Sequence, residues 1–120
     1  MRRRSDENQA EIIEGLRRIG CSVQVLSSVG HGCPDLLVGF RGTNVLIEVK
    51  NVSGRGRRLT EDEQRWHDEW RGQADVVTNL EEAIEVMVWR WNRSPVRAGL
   101  ISKQNPGRTI ESGENIAGAN

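Results

Sequence analysis

Apolar residues recur along this chain at two spacings, and the changes between them divide it into elements. Ile12, Ile13, Leu16 and Ile19 follow a helical spacing, which predicts a helix from about Asp6 to Arg18, capped by Ser5 or Asp6 and stopped at Gly20. From Cys21 to Leu26 the pattern switches to alternation, Val23 and Val25 against Ser22 and Gln24, as expected of a half-buried strand. Two apolar runs then meet across Arg41-Gly42 and predict a hairpin. Thr60 followed by Glu63 is a capping-box pattern, so a second helix is expected from about Glu61 to Arg71, with Trp66 and Trp70 four apart on a core-facing stripe. Ala74 to Thr78 reads as a short strand. Asn79 caps a last helix from Leu80 to about Trp89, whose Ala83, Ile84, Met87 and Val88 form the buried face and whose Glu81 and Glu82 face the helix dipole. The order α-β-β-β-α-β-α gives an α/β fold over residues 1–91, a mixed central sheet flanked by helices. Residues 92–120 lack sustained periodicity and are expected to form a flexible tail, with Arg90, Arg93 and Arg97 near its start as candidate DNA contacts.

The hairpin carries the chemistry. Folding about Arg41-Gly42 pairs Phe40 with Thr43, Val38 with Val45 and Asp35 with Glu48, which sets two carboxylates opposite each other. Like charges so placed are destabilising. Either one of the two stays protonated, or, as the more productive answer, a divalent cation offsets the repulsion and keeps both groups ionised. Strand alternation turns Lys50 to the same face as Glu48, so two hard oxygen ligands and a cation converge at one strand end. Such a donor set suits Mg2+ or Mn2+ and the hydrolysis of phosphodiesters, with Lys50 orienting water or holding the phosphate. Val45, Ile47 and Val49 on one face and Leu46 on the other make this strand apolar on both sides, and so central in its sheet.

Flanking segments add candidate contacts. Ser27 to Cys33 is a glycine-bearing loop leading into Pro34-Asp35, and Ser27 and His31 on it are candidate DNA contacts, His31 with a possible share in proton transfer. After Lys50, Arg55, Arg57 and Arg58 make a locally cationic loop suited to gripping phosphates beside a cut.

Composition narrows the partners. With 17 basic and 17 acidic residues among 120, the chain has no net field to draw it to nucleic acid, so any such site is a local patch. Cys21 and Cys33 lack zinc-ligand spacing and fit a reducing, cytoplasmic compartment. Arg2 to Arg4 are not followed by a signal-type apolar region, and no stretch approaches a membrane span.

Pro34-Asp35, twelve intervening residues, then Glu48-Val49-Lys50 resembles the motif of the PD-(D/E)XK nuclease superfamily. Three flanking stretches, Asn8-Gln9-x-Glu11-Ile12, Gly30-His31-Gly32-Cys33-Pro34-Asp35-Leu36-Leu37-Val38-Gly39 and Leu59-Thr60-x-x-x-Gln64-x-x-x-His67, resemble small phage and prophage proteins of the virus-type replication-repair nuclease (VRR-NUC) family. The resemblance covers about residues 6 to 90. It implies a restriction-endonuclease-like core and a metal-dependent DNA endonuclease, with Asp35, Glu48, Lys50 and Gln64 as catalytic residues. It further implies Glu11 and the Val49 carbonyl as additional metal ligands, branched or flapped DNA as substrate, a homodimer, and a bacterial or phage-infected cell. The rivals are a non-catalytic nucleic-acid-binding or assembly module that retains the fold, and a restriction-type enzyme with sequence preference.

Overall fold

The computed structural model describes residues 3–51 and 58–99 of the chain. Seven elements follow in order: α1 (Arg3–Arg18), β1 (Ser22–Val25), β2 (Leu36–Phe40), β3 (Thr43–Val49), α2 (Glu61–Glu69), β4 (Ala74–Val77) and α3 (Leu80–Asn92). The sheet has the order β1-β2-β3-β4, antiparallel except for the parallel pair β3 and β4. This is the mixed α/β arrangement expected, with β3 in its interior.

The core lies on one face of the sheet. Ile12 and Leu16 of α1 and Ala83 and Met87 of α3 pack with Leu36, Val38, Val45, Ile47 and Val77 of the strands, and all are fully buried. Each large side chain so removed from water contributes about 1.5–3 kcal/mol. Gly15 shows how closely the two helices approach, because a Cβ there would meet the Leu80 side chain at 2.3 Å. A mid-helix glycine costs about 1 kcal/mol against alanine; here it makes room for α3.

The hairpin register is the one its apolar pattern specifies. Phe40 pairs with Thr43, Val38 with Val45 and Leu36 with Ile47. Arg41 and Gly42 both take positive φ, 49° and 84°, the backbone of a two-residue turn whose twist matches its strands.

Several expectations are corrected at the edges. Helix α1 begins at Arg3, so Ser5 and Asp6 lie within it and not at its N-cap position; no glycine or proline interrupts that stretch. The indoles of α2 are not core: the helix has no buried residue, and Trp70 is 46% exposed. Trp66 and Trp70 cover each other, stacked at 4.6 Å with their planes 15° apart, because α2 meets the rest of the domain through the polar residues of its first turn. Val88 is exposed, so the buried stripe of α3 narrows to Ala83 and Met87 with Ile84 beside them. Helix α3 runs to Asn92, and the next residues to Gly99 turn back so that Val96 lies against Gly42. The predicted boundary at residue 91 thus falls in the last turn of a helix. Residues 100–120 lie outside the described part.

Candidate active site

The site forms where β2 begins and β3 ends. Pro34 is buried and Asp35 follows it directly into β2, while the Asp35 carbonyl accepts from Leu26 N at 2.7 Å and ties the strand start to the end of β1. One residue past the Leu36–Ile47 pair, the register brings Asp35 opposite Glu48. Asp35 Oδ2 accepts from the Val49 N–H at 2.9 Å, which fixes its carboxylate across the strand end. The N–H and C=O of Val49 share one strand edge, so its carbonyl lies on the side of Asp35. On the other edge Lys50 N donates to Val77 O at 2.9 Å and Leu46 N to Gln73 O, continuing the parallel ladder.

Glu48 is 3% exposed, and its Oε1 is buried without a hydrogen-bond partner. Burial, and then the neighbouring Asp35 and Glu63 carboxylates, push Glu48 up to about 8 against the pull of Lys50. Burial likewise raises Asp35, opposed by the Val49 N–H. Lys50 Nζ lies 3.6 Å from Glu48 Oε2 and 2.8 Å from Glu63 Oε1. Burial alone would lower Lys50, but Glu63 and Glu48 outweigh it and hold the ammonium above its ordinary value. Glu63 is held low: its own burial works the other way, and the bonds from Lys50 and the Thr60 N–H prevail.

Glu63 is the site residue that sequence reasoning missed. The capping box is present, with Thr60 Oγ1 accepting from Glu63 N and Thr60 N donating to Glu63 Oε1 at 2.9 Å. The same Oε1 also receives Lys50. Gln64, expected beside Lys50, instead donates to Asp68 Oδ1 on the exposed side of α2. A helix advances 100° per residue, so only one of two adjacent residues can face the sheet. The capping box was the legible signal, since it turns the Glu63 carboxylate back toward the strand end.

The remaining candidates divide. Glu11 is exposed, and among the described residues no hydrogen bond or ion pair joins it to the carboxylate pair. The α1 side chains that reach this region are Asn8, donating to the carbonyls of Lys50 and Thr78 at 3.3 and 3.0 Å, and Gln9, 3.5 Å from Ser27 Oγ. His31 is exposed on its loop with a positive φ of 55° between Gly30 and Gly32. A Cβ at Gly32 would strike the Asp62 carbonyl at 2.3 Å, so glycine there lets the loop and the start of α2 close together. Arg58 is exposed, and Arg55 and Arg57 lie outside the described residues. His67 is half-buried against Trp66 with Nε2 unpartnered, and burial holds it low.

No family model matches the chain, and no curated protein does. A solved structure described as a VRR_NUC domain is similar to it, with 26% identity and a TM-score of 0.56 over 70% of this chain and 94% of that one. Strand order and helix order agree, so the chain has the fold of the PD-(D/E)XK nucleases. The likeness supports the resemblance to the VRR-NUC family.

Proposed function

We propose that this protein is a divalent-metal-dependent endonuclease that hydrolyses DNA phosphodiester bonds, acting on branched, flapped or junction DNA. The observation that carries the reading is the carboxylate pair of half-buried Asp35 and buried Glu48, with Glu48 Oε1 unpartnered and the Lys50 ammonium 3.6 Å from Glu48 Oε2. Two carboxylates side by side, one of them buried, fit a hard cation, and magnesium characteristically takes one or two carboxylates and keeps several waters. Among the described residues no three His, Cys, Asp or Glu groups are placed to hold a metal ion together, so the donors assigned are this pair and the Val49 carbonyl. Mg2+ or Mn2+ held there supplies charge stabilisation at the phosphate and acidifies a bound water.

The chain's own residues do the rest. Asp35 is fixed through Oδ2 by the Val49 N–H, and its other oxygen is the one assigned to the metal. Lys50 stands between Glu48 and Glu63, a position from which its Nζ can hold the scissile phosphate or orient the attacking water. Glu63 keeps that ammonium charged. Arg55, Arg57, Arg58, Ser27 and His31 border the strand end in sequence and are assigned to phosphates flanking the cut. A homodimer allows paired cuts on two strands, and the cysteines fit action in the cytoplasm.

The test is cleavage of end-labelled linear duplex, flap, splayed-arm and four-way-junction DNA with Mg2+, Mn2+ or EDTA, with Asp35→Ala run beside the wild type. Metal-dependent products on branched substrates, absent in the variant, are expected. Junction binding by both proteins without cleavage on any substrate would make the protein a binding module.

A further inference from the structure

At the turn end of the hairpin, five residues of β3 and about 17 Å from Glu48, stands a cluster that the catalytic reading does not use. Phe40 and Trp91 meet edge to face at 6.2 Å. The Arg41 guanidinium lies over both rings, at 5.2 and 4.7 Å, and the Arg97 guanidinium lies 5.2 Å from the same Trp91 ring. On the other flank of the same end of α3, two residues back from Trp91, Arg93 lies over Trp89 at 4.2 Å.

Three features separate this cluster from arginines scattered on a surface. None of Arg41, Arg93 and Arg97 has an ion pair among the described residues; Asp75, the nearby acid, is taken by Arg90 at 2.9 Å. Arg93 donates one bond, to the Trp89 carbonyl at 3.4 Å, and the Arg41 and Arg97 guanidiniums make no hydrogen bond there. The aromatic contacts hold the exposed guanidiniums at the ring faces without occupying them with a carboxylate, and a guanidinium so held suits a phosphate. Finally, Arg41 holds a left-handed backbone, φ 49°, at a position where type I′ turns favour Asn, Asp or Gly. An arginine there is costly, and Val96 packed on Gly42 keeps the Arg97 segment closed over the turn.

We propose that Arg41, Arg93 and Arg97 form a second phosphodiester-binding site that engages DNA backbone away from the cut, a proposal that rests on the nuclease reading above. Two unpaired guanidiniums around one indole repel each other, and an anion between them relieves that repulsion. The separation from Glu48 corresponds to about five nucleotides of B-form rise at 3.4 Å per strand. The cluster therefore takes phosphates that the scissile centre does not reach, on a longer duplex or a second arm. In a chain without net charge, such a patch supplies the local field that binding needs.

The experiment is fluorescence anisotropy of long duplex and junction DNA in EDTA across a salt series, comparing wild type, the triple variant R41Q/R93Q/R97Q and the triple variant R41K/R93K/R97K. The Gln variant is expected to bind roughly tenfold more weakly at low salt, with a log–log salt slope shallower by about 2 to 3, one step of about 0.9 per lost phosphate contact. The Lys variant keeps the charge and recovers most of the slope. Wild-type affinity and slope in a Gln variant with a native circular-dichroism spectrum would overturn the site, as would equal losses in both triple variants. Wild-type DNA cleavage alongside that result would leave the nuclease reading standing, whereas no DNA binding by the wild type would remove both.

Discussion

The two ends of the β2–β3 hairpin solve opposite electrostatic problems on one apolar ribbon. At the strand end, Glu48 is packed away from water beside half-buried Asp35, Lys50 is half-buried between two acids, and one Glu48 oxygen has no partner. At the turn end, Arg41, Arg93 and Arg97 stay exposed and rest on aromatic faces. Buried like charges cost folding energy and hold a ligand tightly at a fixed point; exposed, stacked charges cost little and bind weakly, with salt sensitivity. The fully buried pairs Leu36–Ile47 and Val38–Val45 hold the two ends at a constant separation.

The largest effects are expected at the strand end. Asp35→Ala or Glu48→Ala should abolish cleavage while DNA binding in EDTA persists; cleavage retained by both would refute the site. Lys50→Ala should slow the chemical step with a smaller change in metal affinity, measured by isothermal titration.

Next in size is a pH dependence that the turn end lacks. Glu48 titrates near 8 in the fold against 4.5 for an unperturbed glutamate, so the folded state holds an extra proton between those values. The stability this group confers is complete below about 4.5 and is lost progressively as pH rises to about 8. Asp35, also raised, adds to the loss from its own lower range; Glu63, held low, acts oppositely and only at the acid end. The Tm of metal-free protein should therefore fall across this window. Glu48→Gln, which cannot ionise, should flatten the fall, and Mg2+ should raise Tm most near pH 8. A Tm of wild type that does not respond to Glu48→Gln at pH 8 would contradict the buried, repelled carboxylate.

The same contrast explains what the sequence made legible. Period-2 alternation and a two-residue turn specify a register, and Asp35 opposite Glu48 follows from counting. Helix-borne contacts are harder, because a helix offers several polar residues within one turn of any point, and which one faces the site depends on how the helix docks. Glu11 and Gln64 were assigned from the family resemblance, and both point to solvent, while Asn8 and Glu63 make the contacts. The Trp66–Trp70 spacing was read as a core stripe, yet periodicity reports amphipathicity and not what lies opposite, and here each indole lies on the other. The arginine cluster joins residues from the hairpin turn, the end of α3 and the turn after it, a juxtaposition no local pattern encodes.

Glu63 offers a third, intermediate test. One oxygen serves the helix cap and Lys50 together. Glu63→Gln preserves a capping-box acceptor but removes the charge facing the ammonium, so it should keep Tm within a degree or two of wild type, about 0.3 kcal/mol, and lower kcat with KM unchanged. Glu63→Ala should lower both kcat and Tm. Wild-type kcat in the Gln variant would reduce Glu63 to a cap, and the conservative Gln64→Ala should leave kcat as it is.

The smallest expected effect isolates the cap itself. Thr60 Oγ1 accepts from Glu63 N at 3.1 Å and touches neither Lys50 nor the carboxylate pair. Thr60→Ala should cost about 1 kcal/mol, a Tm lower by about 4 to 8 °C for a domain of this size. Because the Glu63 carboxylate still accepts from the residue 60 N–H and from Lys50, kcat at a temperature well below the transition should change little. If kcat falls as far as in Glu63→Ala, Lys50 is positioned by the whole first turn of α2 and not by one carboxylate. The strand end would then depend on a helix that buries no residue of its own, and binding that orders α2 would set the rate.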